Sequence, residues 1–363
     1  MSWLRSWWGR GVGLGEKPRG FMKIISQFIK SISLACVYVW LSLNVSDGLA
    51  QVVTLPEIKA TSATKAEKIN CPTPAPKLSD AQIDEMTLTA PDRGFLWRLQ
   101  KDGRTSWLYG TVHIGKMDWA ALGPQVTKAL RAADTLAVEI DFADPVIKAD
   151  LAQIPASVAV TPVLSANQLA RLEKLTSSSC LSDAQLKQRP AIFRLQQLEG
   201  QIFRYEGFYP EFGLESTLKK MATKWNKPTV SLELLSDYRK LTQGVTSEQH
   251  LNFFEQTLSE MERDRFPTSA RKMMLLWSTA NWDGFRNYQD WCNCRDKPVS
   301  DSSIAVNDGR NQNMAERLNK LLESGKSVFA AVGALHMLDD TGLPELMKAK
   351  GYSVERIVSE TTP

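Results

Sequence analysis

The spacing of apolar and polar positions changes period several times along the chain, and each change predicts an element. Phe95, Trp97 and Leu99 alternate with Leu96, Arg98 and Gln100, Asp102-Gly103 supplies a turn, and residues 105–110 run back, which predicts a β-hairpin. A polar loop follows. Gly123-Pro124 then opens a helix whose Val126, Leu130 and Ala133 fall at helical spacing, and residues 135–141 return to an apolar strand. The middle of the chain reads as mostly helical. Ser165-x-x-Gln168, Ser182-x-x-Gln185 and Thr246-x-x-Gln249 have the form of capping boxes. A helix over 213–225 feeds through Lys227-Pro228 into a strand over 229–233. Residues 247–292 predict two long helices separated near Pro267, with Phe253, Phe254, Met273, Met274 and Trp277 as core. A last long helix covers 307–322.

One arrangement occurs twice. Trp107-Leu108-Tyr109-Gly110-Thr111-Val112-His113 is an apolar strand that ends in Gly-x-x-His, and so is Val328-Phe329-Ala330-Ala331-Val332-Gly333-Ala334-Leu335-His336. After each histidine come a polar loop, a helix and a further strand, the second copy passing through Gly342-Leu343-Pro344 to a strand over 352–358. Units of this kind pair parallel strands through right-handed crossovers, and ligands of open α/β sheets gather at the carboxyl ends of the strands. The expected fold is therefore α/β (α+β), a mixed central sheet with flanking helices in pseudo-symmetric halves. Each half carries one Gly-x-x-His strand end.

Charge and cysteine content refine this picture. The 363 residues carry a net charge of +4, but residues 1–50 hold six basic and two acidic groups, which leaves 38 of each sign in the remainder. A balanced remainder without a basic stripe excludes nucleic acid as a partner. The apolar run 31–43, preceded by Lys23 and Lys30 and followed by Asp47-Gly48-Leu49-Ala50, has the layout of a secretory signal with cleavage after Ala50 and a start at either Met1 or Met22. An uncleaved anchor is the alternative, and it is the one contact with a membrane that this reading allows. Residues 51–93, rich in Pro, Thr and Ala, predict an extended linker. A domain over 94–363 follows. An exported, periplasmic chain places Cys71, Cys180, Cys292 and Cys294 where disulfides form, and three connectivities are open.

His113 and His336 are the first candidates for chemistry, because neutral imidazole is a common ligand for zinc and similar ions. Glu139 interrupts the far end of an apolar strand, where a carboxylate is costly. Two histidines and a carboxylate leave coordination positions open for water and substrate. Asp141 and Glu233 end strands in the same way and are weaker candidates. Arg310 and Asn311, near the start of the last long helix, are suited to clamp a carboxylate, stabilise an oxyanion or position a water. The sequence holds no His-Glu-x-x-His helix, Gly-x-Ser-x-Gly elbow, Walker loop or dinucleotide glycine fingerprint.

Leu108-Tyr109-Gly110-Thr111-Val112-His113-Ile114-Gly115, Val138-Glu139-Ile140-Asp141, Gly213-Leu214-Glu215, Lys227-Pro228 with Leu232-Glu233, Asp308-Gly309-Arg310-Asn311 with Met314-Ala315, and Val332-Gly333-Ala334-Leu335-His336 follow one another as in the TraB/GumN family, which includes the animal TIKI proteases. The chain resembles that family from Gly94 to Val358, with Gly309 at a position often acidic in it. The resemblance implies a fold similar to erythromycin esterase-like and ChaN-like proteins. It also implies a metal-dependent protease or peptidase acting on a peptide or protein, with His113, His336 and Glu139 holding a divalent ion such as Zn, Mn or Co. Glu139, Arg310 and Asn311 become its catalytic groups. Two other classes stay open: a periplasmic protein that binds a peptide, haem or iron without turnover, and an accessory factor for surface polysaccharide export.

Overall fold

The Asp102-Gly103 turn is a tight hairpin, with φ of 50° and 73° at its two central residues. It joins β1 (Phe95–Lys101) to β2 (Arg104–Thr111) in register from Lys101 opposite Arg104 to Phe95 opposite Gly110. The computed structural model describes residues 71–152, 163–181, 191–242, 247–263, 268–291 and 301–358. Ser165 and Gln168 form the expected capping box, whereas the expected signal segment, Ser182 and Gln185, Thr246, Pro267, Cys292 and Cys294 lie outside the described residues.

Helix α1 (Asp80–Thr87) precedes the hairpin, and α2 (Pro124–Ala132) and β3 (Thr135–Val138) follow it. Next come α3 (Pro145–Ala152), α4 (Ala166–Ser177), α5 (Ala191–Tyr205), α6 (Leu214–Lys224) and β4 (Thr229–Ser231). The chain continues through α7 (Leu235–Thr242), α8 (Ser247–Arg263), α9 (Thr268–Ser278), α10 (Trp282–Arg286) and α11 (Asp301–Glu323). It closes with β5 (Val328–Gly333), α12 (Leu343–Ala349) and β6 (Ser353–Ile357).

The six strands form one mixed sheet in the order β4-β3-β5-β2-β1-β6, an α+β arrangement of the expected kind. β4, β3, β5 and β2 are parallel, while β1 is antiparallel to both β2 and β6. The two copies of the repeat interleave. β5 enters between β2 and β3, so each copy's strands are separated by strands from elsewhere, and the two Gly-x-x-His strands pair directly with Thr111 opposite Gly333. β5 is buried along its whole length, as its unbroken apolar run requires of a strand covered on both faces. The buried indole of Trp277 on α9 donates from Nε1 to the Gly110 carbonyl at 2.8 Å and fixes the end of β2. A second apolar cluster, with Leu172 of α4, Leu198 of α5 and Phe254 of α8, holds those helices together.

Three expectations change. The segment 51–93 is not an extended linker in its described part. Ser79 and Gln82 form a capping box that starts α1, Ala75 and Leu78 pack on Ala120, Tyr209 and Phe212, and Cys71 is joined to Cys180 with their Cα atoms 5.7 Å apart. Asp92 also belongs to this segment. Its Oδ1 accepts from Gln125 N at 2.9 Å and Val126 N at 3.3 Å, so it caps α2, whose own N-cap Gly123 has no side chain. The second of the two helices expected in 247–292 ends at Ser278, because Ala280 turns left-handed (φ 50°) and Asn281 caps the short α10 through Gly284 N. The last long helix starts at Asp301, six residues before the expected point. Among the described residues no helix is long and apolar enough to cross a membrane.

Candidate active site

Four parallel strands deliver their carboxyl ends to one edge of the sheet, and a candidate residue follows each. His113 lies two residues past β2, Glu139 directly past β3, Glu233 two past β4, and His336 three past β5 on a short 3-10 turn. Gly333 marks where three of them meet. A methyl group on its Cα would lie 2.9 Å from Glu139 Oε1, 3.5 Å from His113 Nε2 and 3.7 Å from a ring carbon of His336. Any other residue would fill this space. Gly333 N also donates to Glu139 Oε1 at 2.6 Å, so the strand end itself orients the carboxylate.

Each charged side chain at this edge is held by a second one. Arg310 of α11, 2% exposed, donates from Nε and Nη2 to the two oxygens of Glu233 at 2.7 and 2.8 Å, and from Nη2 to Glu139 Oε2 at 3.1 Å. The next residue, Asn311, donates from Nδ2 to the Thr341 carbonyl at 2.8 Å, which turns its Oδ1 toward His336 Nδ1 at 2.5 Å. Oδ1 can only accept, so Nδ1 of His336 carries the proton and Nε2 the lone pair. Glu215, near the start of α6, plays the corresponding part for His113. Its Oε1 lies 3.1 Å from His113 Nδ1, off the line of a good hydrogen bond, and also accepts from the Thr111 hydroxyl. Gly213 makes this approach possible, since a Cβ there would sit 2.3 Å from the His113 carbonyl oxygen. Asp141 is paired with Lys219 at 2.5 Å.

Burial pulls the His113 imidazole down, but the adjacent Glu215 carboxylate, with help from Glu139, more than reverses this and raises it to about 9. Burial likewise pushes Glu215 up, and His113 and the Thr111 hydroxyl outweigh it, so that Glu215 ends below its ordinary value. Glu139 is raised, chiefly by burial and against the pull of His113 and Arg310. For His113, a folded pKa near 9 against 6.5 means a contribution to stability that is complete below about pH 6.5 and is lost as pH rises through about 9. Its partner's contribution is lost at the acid end, as pH falls below the ordinary 4.5. The unfolding free energy of the metal-free protein, read from denaturant curves, is expected to fall by up to about 3 kcal/mol between pH 6.5 and 9. In Glu215→Gln this alkaline loss is expected to shrink to a fraction of that value. An unchanged slope in the variant rules out the Glu215 pairing as its source.

The sequence brought five of these groups to notice as site candidates, His113, Glu139, Glu233, Arg310 and Asn311, together with His336, and the fold gathers all six. Arg310 and Asn311 are buried rather than on a solvated helix face. Gly309 lets α11 approach α7, since a Cβ there would meet the Leu241 side chain at 2.4 Å. Glu215 was not singled out as a site residue. One signal was present: with Leu218 and Ala222 it falls on the buried stripe of α6, an ionisable group on an apolar face.

Donor type and charge fit a divalent cation. Glu139, Glu215 and Glu233 are each at most 7% exposed, and among the described residues Arg310 is the one guanidinium bonded among them, so with both histidines neutral these groups carry two uncompensated negative charges. The Nδ1 partners of His113 and His336 are of the kind that orient metal-ligating imidazoles. Among the described residues no three His, Cys, Asp or Glu side chains stand together as a metal site. The two oxygens of Glu139 face Gly333 N and Arg310, so an ion there exchanges one of those bonds for its own.

The sequence profile of the TraB/PrgY/gumN family matches residues 95–356, the span that contains every one of these side chains. The chain belongs to the TraB/PrgY/gumN family. Within this family it is similar to a Shigella flexneri protein described as uncharacterized protein YbaP, 25% identical over 256 residues, covering 68% of this chain and 88% of the relative. The Escherichia coli K12 protein of the same name is 25% identical over 252 residues, 66% of this chain and 87% of its own length. No solved structure matches. The family span starts at the first residue of β1, so α1 and the Cys71 tether lie outside it.

Proposed function

We propose that the chain is a metal-dependent hydrolase of peptide bonds, with a divalent ion held by His113, His336 and Glu139. The observation that carries this reading is the meeting of both Gly-x-x-His imidazoles and the Glu139 carboxylate over Gly333, beside two further buried carboxylates. A divalent ion supplies a Lewis acid for the scissile carbonyl and makes water acidic enough to attack at neutral pH. The chain's own groups do the rest. Glu215 and Asn311 hold the two imidazoles by Nδ1, which leaves Nε2 as the donor nitrogen on each. Glu139, with Oε1 at Gly333 N and Oε2 at Arg310, acts as a ligand that would turn Oε1 to the ion, and as a ligand it does not also serve as the general base. Arg310 keeps that carboxylate oriented through Oε2. His113 is the member that opens to solvent, at the wall of a cleft of about 990 Å³ between α1 and α6, so substrate enters from that side. Export of the chain to the periplasm is part of the same proposal and rests on the apolar run 31–43.

The test is metal content beside hydrolysis. Wild-type protein is expected to hold one divalent ion per chain, and His113→Ala and His336→Ala, shown folded by circular dichroism, to bind it at least tenfold more weakly. Metal-loaded wild type is expected to cleave a quenched-fluorescence peptide library that Glu139→Gln leaves intact. Equal metal content in all three chains, or equal cleavage by Glu139→Gln, defeats the proposal. A protein that takes up peptide without cutting it is then the reading to adopt.

A further inference from the structure

A second groove, of about 840 Å³, runs between the segment that starts at Pro72 and α5. It adjoins the His113 cleft, and Ile83, Pro210, Lys220 and Met221 line both. The segment is held across α5 and α6 by the Cys71–Cys180 disulfide and by a 3.1 Å hydrogen bond between the Thr73 and Tyr209 hydroxyls.

Two features of α5 inside this groove lack a structural reason. Gln196 is 4% exposed, and neither its Nε2 nor its Oε1 has a partner among the described residues; Gln201 Oε1, further along the helix, has none either. A buried polar group without a partner costs about 1–3 kcal/mol, so such groups call for a function or a ligand. Gly200 lies between them in the middle of the helix, where glycine costs about 1 kcal/mol relative to alanine. No atom of the described residues lies within 4 Å of where its Cβ would be, so packing among them does not require glycine.

We propose that this groove is a substrate subsite that seats an extended peptide leading to His113, with the Gln196 carboxamide pairing one backbone amide of that peptide. A carboxamide presents one acceptor and a donor side by side, which complements a peptide unit and neither a carboxylate nor an ammonium group. Pro72, Pro74 and Pro76 carry no N–H, so the strap cannot donate to a ligand carbonyl at those positions and the Nε2 of Gln196 supplies what it lacks. Gly200 leaves the room in which the ligand backbone lies. The occupant is a separate chain passing through, in an extended form, because the disulfide-tied strap covers the groove on one side. The inference takes its substrate class from the peptidase reading of the His113 cleft.

The experiment measures binding of a fluorescein-labelled pool of random octapeptides by anisotropy, with EDTA present so that neither metal nor cleavage contributes. Wild type is expected to bind the pool. Gln196→Leu is expected to bind about tenfold more weakly, the loss of one well-made hydrogen bond pair, while its melting temperature stays equal or rises because an unpaired buried amide has been replaced by an apolar side chain of similar size. Gly200→Leu blocks the groove from an open helix face and is expected to abolish binding without loss of fold. No binding by wild type, or equal binding by wild type and Gly200→Leu, overturns the subsite. A Gln196→Leu protein that melts lower and binds equally also overturns it, since the amide then serves the chain's own fold. Failure of the two readings is distinguishable. Peptide binding without metal uptake removes the hydrolase and keeps the groove, whereas metal-dependent cleavage with an unchanged KM in both variants removes the groove and keeps the hydrolase.

Discussion

Arg310→Met is expected to lower stability by about 3–5 kcal/mol at neutral pH, the range found when one partner of a buried ion network is removed. Arg310 is 2% exposed and is bonded to both oxygens of Glu233 and one of Glu139, which are themselves almost fully buried. Methionine fills much of the same volume, so the loss measures charge rather than packing. The two carboxylates then face each other and Glu215 without a guanidinium, in an environment that already raises Glu139. Two rescues follow. Adding Glu233→Gln removes one of the stranded charges and is expected to recover a substantial part of the loss. Lowering the pH toward 5 favours the protonated form of Glu139, which burial already raises, and is expected to narrow the gap to wild type. Arg310→Lys cannot form the paired bonds to Glu233 and is expected to recover less than the double variant. Urea midpoints of the four proteins at pH 7 and pH 5 decide the matter, and a single variant within 1 kcal/mol of wild type would show that the network is not what holds the cluster.

Affinity for a divalent ion is expected to rise about hundredfold between pH 7 and pH 9. The His113 imidazole titrates at about 9 in the metal-free chain, and the Nε2 that would hold the ion is the nitrogen that must first lose its proton. At pH 7 the protonated form dominates by about two powers of ten, and each unit of rising pH removes one of them until the pKa is passed. Binding at pH 7 therefore releases close to one proton, which titration calorimetry in buffers of different ionisation enthalpy reads directly. Glu215→Gln removes the carboxylate that raises His113, so its affinity is expected to depend less on pH over the same range. A flat profile in wild type would remove His113 from the ligand set, whatever the fate of His336.

How much of this was legible in the sequence differs by residue. The hairpin turn at Asp102-Gly103, the cap at Ser165 and the apolar run of β5 are local signals, set by backbone conformation and by one residue's neighbours, and the fold follows them. The strand ends at His113, Glu139, Glu233 and His336 were legible for the same reason, since a polar group that stops an apolar run is a local event. Asp92 shows the opposite case. It sits in a stretch whose composition reads as linker, and its capping of α2 depends on a chain reversal of more than thirty residues that no local pattern encodes. The helix within that stretch is a different case, because the Ser79-x-x-Gln82 box that starts it is a local signal.

The sequence by itself determined that two apolar strands end in histidines, that a carboxylate closes a third, and that Arg310 and Asn311 stand on a helix leading into the second histidine strand. Only the tertiary structure decided that β5 pairs with β2 rather than with the strand that follows it, because strand order is set by which apolar faces can be covered together, a property of the whole chain. That one pairing puts Thr111 opposite Gly333 and brings His113 and His336 from separate motifs to a single point. It also made Glu215 part of the site, since the start of α6 reaches His113 only through the close approach at Gly213. Periodicity says which side of an element is buried; what it is buried against depends on contacts between residues far apart in the chain.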